Sequence, residues 1–150
     1  MPVKHLFLLR HGEAQHSYPD ELRELTEEGR KEVTENLNKV SDRIPPIEAI
    51  YHSGLTRTVQ TAEIAASIIA PSVKVQMLEG IAPWGQPSQF SKLLEESDAE
   101  NILIVTHNPF VEDLVNYLSD QDIRIKTGTL IYLQVDFLAQ GCCKLDWVSH

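Results

Sequence analysis

The sequence predicts an α/β protein, a three-layer sandwich with a mostly parallel, mixed central sheet and helices on both faces. Two observations carry this. Short apolar runs alternate with segments whose apolar residues recur at helical spacing, the pattern of strands joined by crossover helices. Near the end, two strand-like runs follow one another with only a loop between, which marks an antiparallel pair at one sheet edge. The chain has 150 residues, 42% hydrophobic and 23% charged. That size and composition suit one domain spanning 1–150.

The elements follow in order. Residues 4–9 read as a strand running into Arg10, His11, Gly12 and Glu13. Thr26 is placed to cap a helix with Val33, Leu37 and Val40 on one face, ended by "IPPI". "EAIYHS" is a second strand. The helix after it carries Val59, Ala62, Ala66 and Ile69 at helical spacing and stops at Pro71. "VKVQML" is a third strand, "PWGQP" a loop and "SQFSKLLEES" a short helix. "NILIVT" is a wholly apolar fourth strand. In "HNPFVEDLVNYL", Asn108 reads as an N-cap and Pro109 as the first helical residue, with Val111, Leu114, Val115 and Leu118 as the core stripe. "GTLIYLQVDF" and "CKLDWV" form the closing pair.

Composition narrows the function. A net charge of −9 argues against a general nucleic-acid or anionic-membrane partner. The first apolar run is too short for a signal peptide, and none is long enough to span a bilayer. Cys142 and Cys143 are adjacent and cannot build a disulfide framework. The expectation is a cytoplasmic protein.

In an open α/β sheet, ligands bind beyond the carboxyl ends of the strands. Arg10, His11, Gly12 and Glu13 follow the first strand, Arg57 the second, and His107 and Asn108 the fourth. Two arginines and two histidines thus converge on one sheet edge. Arginine's planar fork matches phosphate oxygens, helix N-termini add amide donors, and a neutral imidazole has a lone pair that can attack phosphorus. An arginine at a helix start also opposes the helix dipole, which supports a ligand role for Arg57. Gly12 would let the chain turn tightly behind His11. The six histidines share no converging ligand spacing, so neither metal nor cofactor is expected. His5, His16, His52 and His150 read as structural or surface residues. His52 and Ser53 sit at a strand end close to the pocket, and Trp84 either walls its entrance or packs on the core.

"RHGEA", "SGLTRTVQTA" and "VTHNP", in that order, resemble the histidine phosphatase superfamily, the phosphoglycerate mutase-like proteins. "ELRELTEEGRKEV", "LEGIAPWGQ", "ILIVTHNPFVEDLV" and "TGTLIYLQV" are most similar to its SixA-like phosphohistidine phosphatases. The resemblance implies that His11 is the nucleophile, forming a phosphohistidine intermediate. Arg10, Arg57 and His107 would bind the phosphoryl group, with Arg23 beside them. Glu79 or Glu13 would be the general acid. The implied substrate is phosphohistidine in proteins. The alternatives are a small phosphate monoester, or a phosphate-binding adaptor without catalysis.

Overall fold

The computed structural model describes residues 2–150. Its strands are β1 (His5–Arg10), β2 (Ala49–His52), β3 (Val75–Met77), β4 (Asn101–Thr106), β5 (Leu130–Val135) and β6 (Cys143–Ser149). The helices are α1 (Glu27–Val40), α2 (Thr56–Ile69), α3 (Phe90–Leu93) and α4 (Phe110–Ser119). One six-stranded sheet has the order β3-β2-β4-β1-β5-β6. The first four neighbours pair in parallel, while β5 and β6 add antiparallel to one edge, so the sheet is mixed as expected. No helix among the described residues is long and apolar enough to cross a membrane.

Alternate residues of the central strands feed two cores. Leu6, Leu8, Ile102 and Ile104 pack with Phe90 of α3 and with Phe110, Val111, Leu114 and Leu118 of α4. Phe7, Leu9, Leu103 and Val105 pack on the other face with Val33 and Leu37 of α1 and Ala62, Ala65 and Ala66 of α2. Both faces of β1 and β4 are therefore covered, which explains their unbroken apolar sequence. Each fully buried leucine or phenylalanine contributes about 1.5–3 kcal/mol.

Several elements depart from expectation. The buried face of α2 is Thr58, Thr61, Ala62, Ala65 and Ala66, while Val59 and Ile69 are only half-buried. Small side chains bring this helix close to the sheet, and the threonine hydroxyls bond to Leu55 and Arg57 carbonyls one turn back. The helix expected over 88–97 contracts to a 3-10 turn, Pro87–Gln89, followed by α3. Glu95, Glu96 and Asp98 would have crowded its negative C-terminal end. Asn108 does not cap α4. Pro109 occupies the N-cap position, and the Asn108 amide donates to Glu112 and to the Ile125 carbonyl. Thr26 does cap α1, accepting from the Gly29 N–H at 2.9 Å.

Gly12 has no left-handed φ, so a tight turn is not why it is glycine. Close approach is. A Cβ there would lie 2.8 Å from the Gly29 carbonyl oxygen and 3.0 Å from Val33. The contact is reciprocal, because a Cβ on Gly29 would lie 2.2 Å from the Glu13 carbonyl oxygen. The first turn of α1 thus rests directly on the loop that carries His11.

Gly29→Ala tests this contact. Helix propensity alone would favour alanine by roughly 1 kcal/mol. The backbone overlap reverses the sign, and we expect a net loss of about 2 kcal/mol or more in urea unfolding. Unchanged or increased stability would refute the close-packing account.

Candidate active site

The register of β1 and β4 builds the centre of the site. Arg10 pairs with Thr106, and the His11 N–H donates to the Thr106 carbonyl at 3.0 Å. The next side chains, His11 and His107, leave the sheet side by side, with ring centroids 5.0 Å apart and planes inclined at 59°. Both are buried, at 8% and 1% exposure. They open on a cleft of about 670 Å³ that is also lined by Arg10, Arg23, Arg57 and Asn108.

Each cleft residue is held by identifiable bonds. His11 Nδ1 lies 2.7 Å from the Gly12 carbonyl oxygen, which can only accept, so Nδ1 carries the proton. In the neutral ring, Nε2 therefore holds the free lone pair. Arg10 Nη1 donates to the Ile125 carbonyl at 2.7 Å. Asn108 and Glu112 bind that same residue: the Ile125 carbonyl also accepts from Asn108, and its N–H donates to Glu112. Asn108 is a brace for the Arg10 anchor rather than a helix cap. Arg57 projects from the first turn of α2 at only 5% exposure and donates to the Asp20 carbonyl and carboxylate. Arg23 reaches the cleft too, its Nε on the Gln15 carbonyl and its Nη1 on Asp20. The Arg23 guanidinium beside it holds the Asp20 carboxyl below its ordinary range.

Burial pushes His11 down to about 4, and the neighbouring Arg57, Arg10 and Arg23 add to the effect. His107 is pushed down to about 3, first by burial, then by His11 and Arg57. Both rings are thus neutral near pH 7. His107 Nε2 lies 2.6 Å from Ser53 Oγ, whereas its Nδ1 is buried without a partner. Arg10 Nε and Asn108 Oδ1 are likewise buried and unpartnered. Three of the five such side-chain atoms among the described residues thus belong to this one cleft, so its polar groups are set for something the protein itself does not supply.

The carboxylates divide differently from expectation. Glu79 is exposed and does not line the cleft; the loop after β3 contributes Pro83 instead. The residue after Glu79, Gly80, has a left-handed φ of +97°, and a Cβ there would lie 2.8 Å from Leu93 of α3. Glu13 does line the cleft, with its carboxylate accepting from the Thr26 hydroxyl at 2.8 Å. Trp84 is 77% exposed beside Pro83 and does not pack on the core. Tyr18 is 99% exposed on the loop that carries Asp20.

His16, read as a surface residue, is exposed and also lines the cleft. His52 is buried and accepts from the Gly54 N–H, as a structural histidine would. Sequence reasoning missed Asp20 and Thr58. The one signal for Asp20 was its place three residues before Arg23; Thr58 carried none. Among the described residues, no group of three or more His, Cys, Asp or Glu is placed to hold a metal ion.

Paired histidines and clustered arginines meet at the carboxyl end of a mixed α/β sheet, the arrangement expected of the histidine phosphatase class. The family model described as the histidine phosphatase superfamily (branch 1) matches residues 6–84, and the chain belongs to that superfamily. Among curated proteins, none matches the sequence. Solved structures do match its fold. The protein histidine phosphatase SixA complexed with tungstate superposes with a TM-score of 0.85 at 24% identity, over 96% of this chain and 95% of that one. The SixA structure from Nakamurella multipartitia gives 0.84 at 22% identity, over 98% and 95%. That from Agrobacterium tumefaciens gives 0.80 at 19%, over 97% of both chains.

The low histidine values set a pH dependence of stability. Below the ordinary imidazole value of 6.5, the unfolded chain takes up protons that the folded site refuses until about pH 4 and 3. Stability therefore falls as pH drops from 6.5, by up to about 1.4 kcal/mol per pH unit for each ring, and these rings contribute nothing above it. An NMR titration of the histidine Cε1 protons should show two rings still neutral at pH 5.5. Midpoints near 6.5 for both would contradict the geometry.

Proposed function

We propose that the protein is a phosphohydrolase that works through a phosphohistidine on His11 and acts on phosphohistidine in proteins. One observation carries the mechanism. The Gly12 carbonyl accepts a hydrogen bond from the Nδ1–H of His11 and so leaves Nε2 as a bare lone pair at neutral pH, in a cleft lined by arginines. That is the nitrogen a phosphorus centre would meet.

In the first step the Nε2 lone pair forms a P–N bond while the bond from phosphorus to the substrate imidazole breaks. The bonding pair stays on the leaving imidazole, which departs with its proton. Water then attacks phosphorus, the P–Nε2 bond breaks, and inorganic phosphate and a proton are released. Arg10, Arg57 and Arg23 would hold the equatorial oxygens, and His107 would join them once protonated.

The substrate class follows from the leaving group. An alkoxide needs a strong proton donor, whereas an imidazole leaves readily with weak assistance. The loop after β3 brings no carboxylate into the cleft, and Glu13 is engaged by Thr26. The exposed Trp84 and Tyr18 beside the open cleft also suit a phosphate borne on another protein. Tungstate, bound in the SixA relative, is a tetrahedral oxyanion like phosphate.

The test compares phosphate release from a phosphohistidine peptide and from a panel of phosphate monoesters, with chelator present. Wild type should prefer the peptide and trap an acid-labile label. His11→Ala should do neither. Arg57→Ala should lose about 100-fold or more in kcat/KM, as for removal of an oxyanion donor, and Glu79→Gln should stay within about twofold because its side chain lies outside the cleft. A preference for one monoester would move the substrate to a small molecule. Phosphate binding without turnover would reduce the protein to an adaptor.

A further inference from the structure

His107 is tied to the protein through a chain of hydroxyls that ends on the Leu55 carbonyl. Thr58 Oγ1 lies 2.8 Å from the Leu55 carbonyl oxygen. A carbonyl only accepts, so in that contact the Thr58 hydroxyl is the donor, on an oxygen that also takes the Thr58 and Val59 N–H groups. Ser53 Oγ lies 2.9 Å from Thr58 Oγ1, which has only lone pairs left, so Ser53 must donate. The Ser53 proton is then also spent. His107 Nε2, 2.6 Å from Ser53 Oγ, must be the N–H donor in that contact. The proton order is imidazole to Ser53, Ser53 to Thr58, Thr58 to the Leu55 carbonyl. All three side chains are at least nine-tenths buried, so water does not readily replace a missing link.

We propose that Ser53 and Thr58 are positioning residues that hold His107 as the Nε2–H tautomer, reserving Nδ1 for a proton that meets the phosphoryl oxygens. This rests on the phosphatase reading for its purpose, though not for its geometry. Nδ1 is the buried, unpartnered nitrogen of a cleft-lining ring, so it is free to serve a ligand. In the free protein it holds a lone pair, which would repel phosphoryl oxygens. A second proton can go only to Nδ1, since Nε2 already bears one. The groups around the ring oppose that proton until an oxyanion arrives. Burial disfavours the charge first, then His11 from the end of β1 and Arg57 from α2, with Arg10 adding less, while Asp20 favours it. A phosphoryl dianion supplies the missing negative charge. His107 would then donate with both nitrogens, one to Ser53 and one to the substrate. Without the chain, Ser53 could turn and donate to Nε2, and the ring would meet phosphate as a neutral, weaker donor.

The test reads the tautomer directly. Histidine ring 15N spectra at pH 7 would be recorded for wild type, Ser53→Ala, Thr58→Val and Thr58→Ser, with His107→Gln used to assign the signals. The same proteins would be assayed for kcat/KM on the phosphohistidine peptide across pH. Wild type should show Nε2–H on His107. Thr58→Val frees the Ser53 proton and should shift His107 toward Nδ1–H, with a loss of roughly tenfold in kcat/KM and a changed pH profile. Ser53→Ala should lose the single tautomer and a similar factor. Thr58→Ser restores the chain and should keep the wild-type spectrum, which separates the relay from packing damage. An Nδ1–H tautomer in wild type would overturn the proposal. So would unchanged spectra in both Ser53→Ala and Thr58→Val, or altered spectra with unchanged kinetics. If wild type turns over no substrate, the phosphatase reading fails, and the spectra still decide the wiring.

Discussion

The site depends on one pairing, the parallel register of β1 with β4. Because Arg10 lies opposite Thr106, the two strands end together, and the His11 N–H closes the ladder on the Thr106 carbonyl. Everything downstream inherits that alignment. A slip by one residue would send one histidine to the opposite face of the sheet. The apolar cores guard against it, since in the slipped strand Leu6 and Leu8 would exchange places with Phe7 and Leu9, or Ile102 and Ile104 with Leu103 and Val105. Packing far from the cleft therefore sets the 5.0 Å between the rings.

The second constraint is electrostatic. A chain with a net charge of −9 gathers three arginines and two buried imidazoles in one cleft. Arg57, at 5% exposure, has been taken out of water with Asp20, at 3.4 Å, as its one counter-ion among the described residues. That carboxylate belongs to a partly exposed loop and is shared with Arg23, so compensation is incomplete. The two histidines respond by remaining neutral. Such a site is strained against positive charge and receptive to negative charge, and an oxyanion would relieve it more than it would a hydrated surface patch.

Strong periodic segments and the convergence of strand-end residues were legible in the sequence. "NILIVT" matches β4 residue for residue, and Arg10, His11, Arg57 and His107 meet as their places after strands required. Asn108 was misread because N-cap preference is a local statistic. The side chain is instead drawn to Glu112 and to a carbonyl seventeen residues on, a tertiary tie that spacing does not encode. Glu79 was misread for a related reason. A position after a strand places a residue near an edge but does not say whether its side chain enters the cleft, and Glu79 stands exposed outside it. Gly12 was read as a turn and proved to be a contact, since its partner Gly29 lies on another element.

The two histidines show most clearly what composition cannot convey. They are the same residue at equivalent strand ends, 5.0 Å apart, yet each is tied through a different nitrogen. A carbonyl holds the Nδ1 proton of His11 and bares Nε2. On the proposed wiring, a serine hydroxyl with its own proton given to Thr58 holds the Nε2 proton of His107 and bares Nδ1. The first bond needs only the backbone of the next residue, so it accompanies His11 wherever this turn forms. The second needs Ser53, Thr58 and the Leu55 carbonyl at the entrance to α2, and it can be lost without touching His107. On the proposed mechanism, one nitrogen would attack and the other would receive a proton. The difference lies in the acceptor atoms behind the rings rather than in the rings themselves.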